Sequence, residues 1–144
     1  FISNEQDNEM DMIDDLIHEI AHSNESRFQD IIYGDGKLQI EFLAKRKNLH
    51  NILLQSDRNY KVPVHFSIDP TYSQQIDDFL YKDVGYQALW QMVPGIFPSP
   101  YAATSLREYF ARGFEEYFMG DPNDLKKLCP ILYSKMYKLH NMED

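Results

Sequence analysis

A single cysteine, Cys129, stands among 144 residues. No internal disulfide can therefore brace the fold, although this leaves the cellular compartment open. Basic residues are also short: 14 lysines and arginines face 23 aspartates and glutamates, for a net charge of −9. That balance argues against a nucleic-acid partner, because phosphate binding needs a basic face. No apolar run approaches the length of a membrane span. The chain has no internal repeat, no low-complexity tract and no heptad seam. Nothing at its start reads as a signal peptide. The first residue is Phe1 rather than Met, which predicts a processed or excised piece of a longer parent, one that could have lost a leader.

What is present points to a folded domain. Hydrophobic residues make up 43% and aromatics 14% of the chain, too much for disorder. The length suits one domain, residues 1–144, with a proper core. Helical periodicity runs from about Glu9 to His22, with Met10, Ile13, Leu16, Ile17 and Ile20 in one arc as the expected buried stripe. Asp11, Asp14, His18 and His22 fall on the opposite, acidic side. Tyr33-Gly34-Asp35-Gly36 is a turn signal, and Lys37 to about Gln55 reads as a helix with Leu38, Phe42, Leu49, Ile52 and Leu53 as core contacts. The basic cluster Lys45-Arg46-Lys47 within it reads as a solvated face. Tyr60 to Ile68 has the composition of a short strand, confined to an edge by Pro63. Asp69-Pro70 is expected to cap a helix over about 71–92, broken near Gly85. Thr104 or Ser105 caps the next helix, with Glu108 available for a capping box from Ser105, and Gly120-Asp121-Pro122 ends it. The tail from Asn123 to about Leu139 is helical, with Pro130 as a kink or restart. The expected class is mainly α, or α+β at most.

The chemistry concentrates in His18-Glu19-Ile20-Ala21-His22. On a helix, histidines four apart share a face and can grip one metal ion, and Glu19 sits where a general base for the attacking water belongs. A catalytic zinc takes three protein ligands and keeps one position open. A third histidine just beyond the motif is missing: residues 23–33 contain none. The third ligand is then a carboxylate on a later helix, with Glu41, Glu108, Glu115 and Glu116 as candidates. Glu108 leads, because it opens a helix just after the proline-rich loop, and Glu115 follows two turns on. His50, His65 and His140 read as surface or packing histidines.

The segment Tyr101-Ala102-Ala103-Thr104-Ser105-Leu106-Arg107-Glu108-Tyr109-Phe110-Ala111-Arg112-Gly113-Phe114 resembles the second active-site segment of the anthrax lethal factor family of HExxH zinc metalloproteases, which includes the Pro-Pro endopeptidases. That family's pattern is a tyrosine followed, seven residues on, by a zinc-ligand glutamate opening an E-[FY]-F-A-x-x-F helix. The tail Leu125-Lys126-Lys127-Leu128-Cys129-Pro130, then Tyr133, also looks like the family's C-terminal helix. The resemblance covers residues 13–22 and 101–139. It implies a zincin-like catalytic domain in which His18, His22 and Glu108 hold zinc, Glu19 is general base and then acid, and Tyr101 donates to the developing oxyanion. It implies an extended peptide or protein substrate, with prolines nearby if the family's preference carries over, and a secreted or delivered effector. An intracellular or virion-associated location is the alternative.

Three departures from the pattern stand out. Arg112 occupies a position where the family often has a carboxylate that accepts a hydrogen bond from a ligating histidine; arginine cannot accept one. Asp14 or Glu115 is a candidate substitute. Residues 23–100 form a long, helical insertion between the two metal-binding helices. Few residues precede the first of these, where such proteases carry a sheet whose edge pairs with substrate. That shortage favours an alternative: a degenerate, non-catalytic module serving as a binding or structural part of a larger assembly, such as a toxin or a virion. A plain helical interaction domain without metal is the third possibility.

Overall fold

A computed structural model describes residues 2–142, with side chains described for 12, 13 and 15–142. The chain is mainly helical, and no strand occurs among the described residues. Its α-helices are α1 (Ile2–Arg27), α2 (Gln29–Tyr33), α3 (Lys37–Gln55), α4 (Gln74–Asp78), α5 (Tyr86–Met92), α6 (Leu106–Met119), α7 (Pro122–Leu128) and α8 (Pro130–Met142). A π-helical stretch, Phe79–Val84, links α4 to α5, and a 3-10 turn, Pro100–Ala103, precedes α6. Helix α6 is the hub, packing against α1, α3, α7, α8 and the 3-10 turn. The core continues through residues 23–100, which contribute Ile32, Leu38, Phe42, Leu49, Leu53, Phe66, Ile76 and Leu80, all fully buried. This segment is therefore woven into the core.

Helix α3 keeps the bounds its periodicity predicts. Gly36, at φ 73°, turns the chain into it, a left-handed conformation that costs glycine little. Helix α6 starts as its cap predicts: Ser105 accepts from the Glu108 amide at 3.2 Å. The reciprocal half of a capping box does not form, because the Glu108 carboxylate turns towards α1. Helix α6 stops at Gly120, and Asp121 then caps α7 by accepting from the amides of Asn123 and Asp124. Gly113 lets α8 come close: a Cβ there would lie 2.3 Å from Cδ2 of Leu132. Gly85, at φ 86°, breaks the helical run between Val84 and Tyr86, where the sequence puts a break.

Several expectations need correcting. Helix α1 extends past His22 to Arg27, and it packs through a different face from the one its apolar stripe suggests. Ile13, Leu16 and Ile20 are 46%, 56% and 41% exposed, whereas Ala21 and Glu25 are buried and Ile17, His18 and His22 are half-buried. The small Ala21 side chain allows α6 to approach, and polar pairs across that contact hold the orientation. Met10 and Asp11 of the expected faces lie outside the described side chains. Residues 60–68 do not form a strand: 60–63 are irregular and 64–68 form turns. The Phe66 amide bonds back to Pro63 O, and the Ile68 and Asp69 amides bond to His65 O. With no neighbouring strand to satisfy its backbone, the segment bonds to itself. Helix α4 is capped by Ser73, while Asp69 instead accepts from the amide and hydroxyl of Thr71.

Arg46 is the largest correction. It is fully buried, not solvated, and lies on the α3 stripe between Phe42 and Leu49. Its guanidinium sits over the rings of Phe42 and Phe66, at 4.8 and 4.7 Å. It donates to the carbonyls of Ala103 (2.6 Å), Phe66 (2.5 Å) and Thr104 (2.9 Å). Burial pulls its pKa down to about 10, which still leaves it charged at neutral pH. Lys45 likewise donates to Leu128 O at 2.8 Å. Two members of the basic run thus bond backbone carbonyls outside α3, in the end of α7 and in the segments around Phe66 and Ala103.

Candidate metal centre

Helix α1 carries His18 and His22 one turn apart, and the N-terminal turn of α6 carries Glu108 against them. His18 Nε2 lies 3.1 Å from Glu108 Oε2, and His22 Nε2 lies 3.5 Å from Glu108 Oε1. One ligand atom from each residue falls within 4.8 Å of the others, the one such group of metal-binding side chains among the described residues. Glu108 Oε1 by itself lies 3.4 Å from His18 Nε2 and 3.5 Å from His22 Nε2, and a tetrahedral ion with bonds of roughly 2.0–2.1 Å needs donors about 3.4 Å apart, so this oxygen fits against both nitrogens. Glu108 Oε2 is buried and has no hydrogen-bond partner, although His18 Nε2 is close. The donor set fits a zinc ion.

The other candidate carboxylates are otherwise engaged. Glu41 accepts from Tyr109 Oη (2.7 Å) and from the amides of Ile131 (2.8 Å) and Leu132 (3.1 Å), capping α8. Glu115 pairs with Arg112 at 3.1 Å, and Glu116 accepts from the Asp121 amide at 3.1 Å. Glu108 is the glutamate of the four that meets both histidines.

Glu25, which the sequence reading passed over, supplies the histidine support that Arg112 cannot. It is 4% exposed, and its Oε1 lies 3.4 Å from His22 Nδ1. The same oxygen accepts from Arg107 Nε at 2.8 Å, and the Tyr33 hydroxyl donates to its other oxygen. Arg107 Nη2 also lies 3.3 Å from His22 Nδ1. With the proton on Nδ1 the Glu25 carboxylate accepts it and the Nε2 lone pair is free; with the proton on Nε2 the bare Nδ1 accepts from Arg107 instead. Burial, then the bond to Glu25, pushes the Tyr33 phenol upward, so it stays a donor. The signal was present in the sequence: Glu25 follows His22 by three residues, one helical turn, but it falls beyond the helix end that periodicity suggested. Of the substitutes considered, Glu115 faces Arg112 instead, and the Asp14 side chain lies outside those described.

Glu19 is exposed on α1 beside His18. Tyr101 lies in the 3-10 turn, half-buried, with Arg112 over its ring at 5.2 Å. Burial, then the negative charge of Glu108, raises the Tyr101 pKa. The turn is held from behind, since Arg46 grips the carbonyls of Ala103 and Thr104. The remaining histidines pack or bond elsewhere: His50 meets Phe66 edge-on, and His140 Nδ1 lies 3.0 Å from Tyr117 Oη. No protein-family model, curated protein or solved structure matches the chain. The likeness to the lethal factor family rests on the motif residues alone.

Proposed function

We propose that this chain is the catalytic domain of a zinc-dependent endopeptidase, a zincin-like domain resembling the lethal factor family. The observation that carries this reading is the Glu108 carboxylate turned onto both histidine Nε2 atoms, with its Oε2 left unpartnered. His18, His22 and Glu108 would hold the ion, and zinc supplies a Lewis acid that lowers the pKa of water towards about 7 and polarises a carbonyl. Glu19 takes the proton of the attacking water and returns it to the departing amine. The Tyr101 hydroxyl, kept protonated by its raised pKa, donates to the oxyanion as it develops. Glu25 orients His22 and is itself held by Arg107 and Tyr33.

The first test is zinc content, by plasma mass spectrometry, of the purified chain and of Glu108→Ala. About one zinc per chain, lost in the variant, is expected, and no zinc in either would refute the centre. Zinc-loaded protein should then cleave members of a peptide library, and Glu19→Gln should abolish cleavage while zinc stays bound. A second reading, a non-catalytic module that retains the metal, draws on the lack of any strand among the described residues to pair with a substrate backbone. Zinc binding with no cleavage by the wild type would favour it.

A further inference from the structure

His22 Nδ1 stands between a donor and an acceptor. Arg107 Nη2 lies 3.3 Å from it and Glu25 Oε1 lies 3.4 Å from it. The two are also tied to each other, since Arg107 Nε donates to the same Oε1 at 2.8 Å. A neutral imidazole carries one N–H proton, so only one of the two contacts at Nδ1 is a hydrogen bond at a time. When no ion is bound, the other ring nitrogen decides which. His22 Nε2 faces Glu108 Oε1 at 3.5 Å. A proton on Nε2 points at that carboxylate, whereas a bare Nε2 sets its lone pair against carboxylate lone pairs. With the proton on Nε2, Nδ1 is an acceptor and Arg107 is the group that fills it. A metal ion needs the reverse arrangement, with Nε2 bare and a proton on Nδ1 for Glu25 to accept.

We propose that Arg107 is a positioning residue that opposes metal loading: it holds His22 in the tautomer that refuses an ion, while Glu25 favours the one that accepts it. The proposal rests on the metal-centre reading of His18, His22 and Glu108, and not on cleavage. Loading moves the imidazole proton from Nε2 to Nδ1, one proton leaving to water and one arriving from it, so the ring stays neutral. Arg107 Nη2 then faces an N–H that it cannot bond. Its side chain is 66% exposed, so water takes over the donor, and the exchange costs about one hydrogen bond. Arg107 opposes loading a second way, because its Nε occupies the Glu25 oxygen that must accept from Nδ1. Glu25 has no such freedom to move. It is buried, and the Tyr33 hydroxyl bonds its other oxygen. A fixed acceptor and a movable donor thus pull one nitrogen in opposite directions.

Two readouts test this at pH 8. Zinc affinity is measured by competition with a chromophoric chelator. The tautomer of the zinc-free chain is read from long-range proton–nitrogen NMR spectra, with the His22 signal assigned by its loss in His22→Gln. The wild type should carry its proton on Nε2, a result that needs no variant. Arg107→Met should move that proton to Nδ1 and tighten zinc about fivefold, the worth of one hydrogen bond. Glu25→Gln should leave the proton on Nε2 and weaken zinc about tenfold. Circular dichroism checks that both variants fold. Damage to the fold alone would move zinc affinity the same way in both. Equal or weaker zinc binding by Arg107→Met would overturn the proposal, as would a wild-type His22 already protonated on Nδ1 or on both nitrogens. No zinc binding by the wild type, with the tautomer still set by Arg107, would fell the metal centre and leave the hold on His22 standing. Zinc binding that ignores both variants would do the reverse.

Discussion

Glu41 and Glu108 are both half-buried glutamates on long helices, and both lie against the start of α6, yet they are used differently. Between α3 and α8, Glu41 uses both oxygens, accepting from Tyr109 and from two amides of α8. Between α1 and α6, Glu108 meets two imidazoles and leaves one buried oxygen without a hydrogen bond. A carboxylate whose lone pairs are filled by its own chain holds the fold, whereas one left incomplete is available to a ligand. Arg46 belongs with Glu41, since its guanidinium is filled by four backbone carbonyls.

The largest test of this contrast is Glu41→Ala. Losing three hydrogen bonds to a charged acceptor should cost about 3 kcal/mol, lowering the melting temperature by roughly 6–12 °C, with zinc content unchanged. If the variant loses zinc as fully as Glu108→Ala, the division of labour between the two residues is wrong. Next comes the response to metal. At about a hundredfold excess over its Kd, zinc should stabilise the wild type by roughly 2.7 kcal/mol. Glu108→Ala should show no such gain while melting, metal-free, close to the wild type. A zinc-free Glu108→Ala that melts far lower would make Glu108 a structural residue like Glu41.

The smallest effect belongs to an exposed carboxylate. Asp35 accepts from buried Lys135 at 2.8 Å, and that bond, then the Lys37 amide, lowers its pKa below the ordinary 3.8. A depressed folded pKa gives stability that is complete above 3.8 and fades as pH falls through the lower folded value. Melting curves between about pH 5 and 2.5 should therefore decline less in Asp35→Asn than in the wild type. Equal slopes would mean that water screens the pair completely.

Most of the helices were legible in the sequence because their punctuation is local: Gly36, Ser105, Gly120 and Asp121 act on their own neighbours. The candidate triad was legible for a similar reason, since HExxH fixes two side chains by spacing and Glu108 follows a cap. Arg46 was the instructive failure. Residues 38, 42, 46, 49 and 53 form one unbroken buried stripe, but the charge of Arg46 set between two lysines outweighed its place in that pattern. Its partners lie in loops whose proximity no local rule reveals. The exposed Ile13, Leu16 and Ile20 failed in the other direction. Apolar periodicity shows that a face is greasy but not what lies against it, and here α6 lies against the histidine face.

Arg46 also fastens stretches of chain that lie far apart in sequence. Its bonds to Ala103 and Thr104 span 57 and 58 residues, and closing so long a loop is slow. The turn that carries Tyr101 is thereby tied to the same side chain that lies over the Phe42 and Phe66 rings. A defect at Arg46 would loosen that turn and the core together.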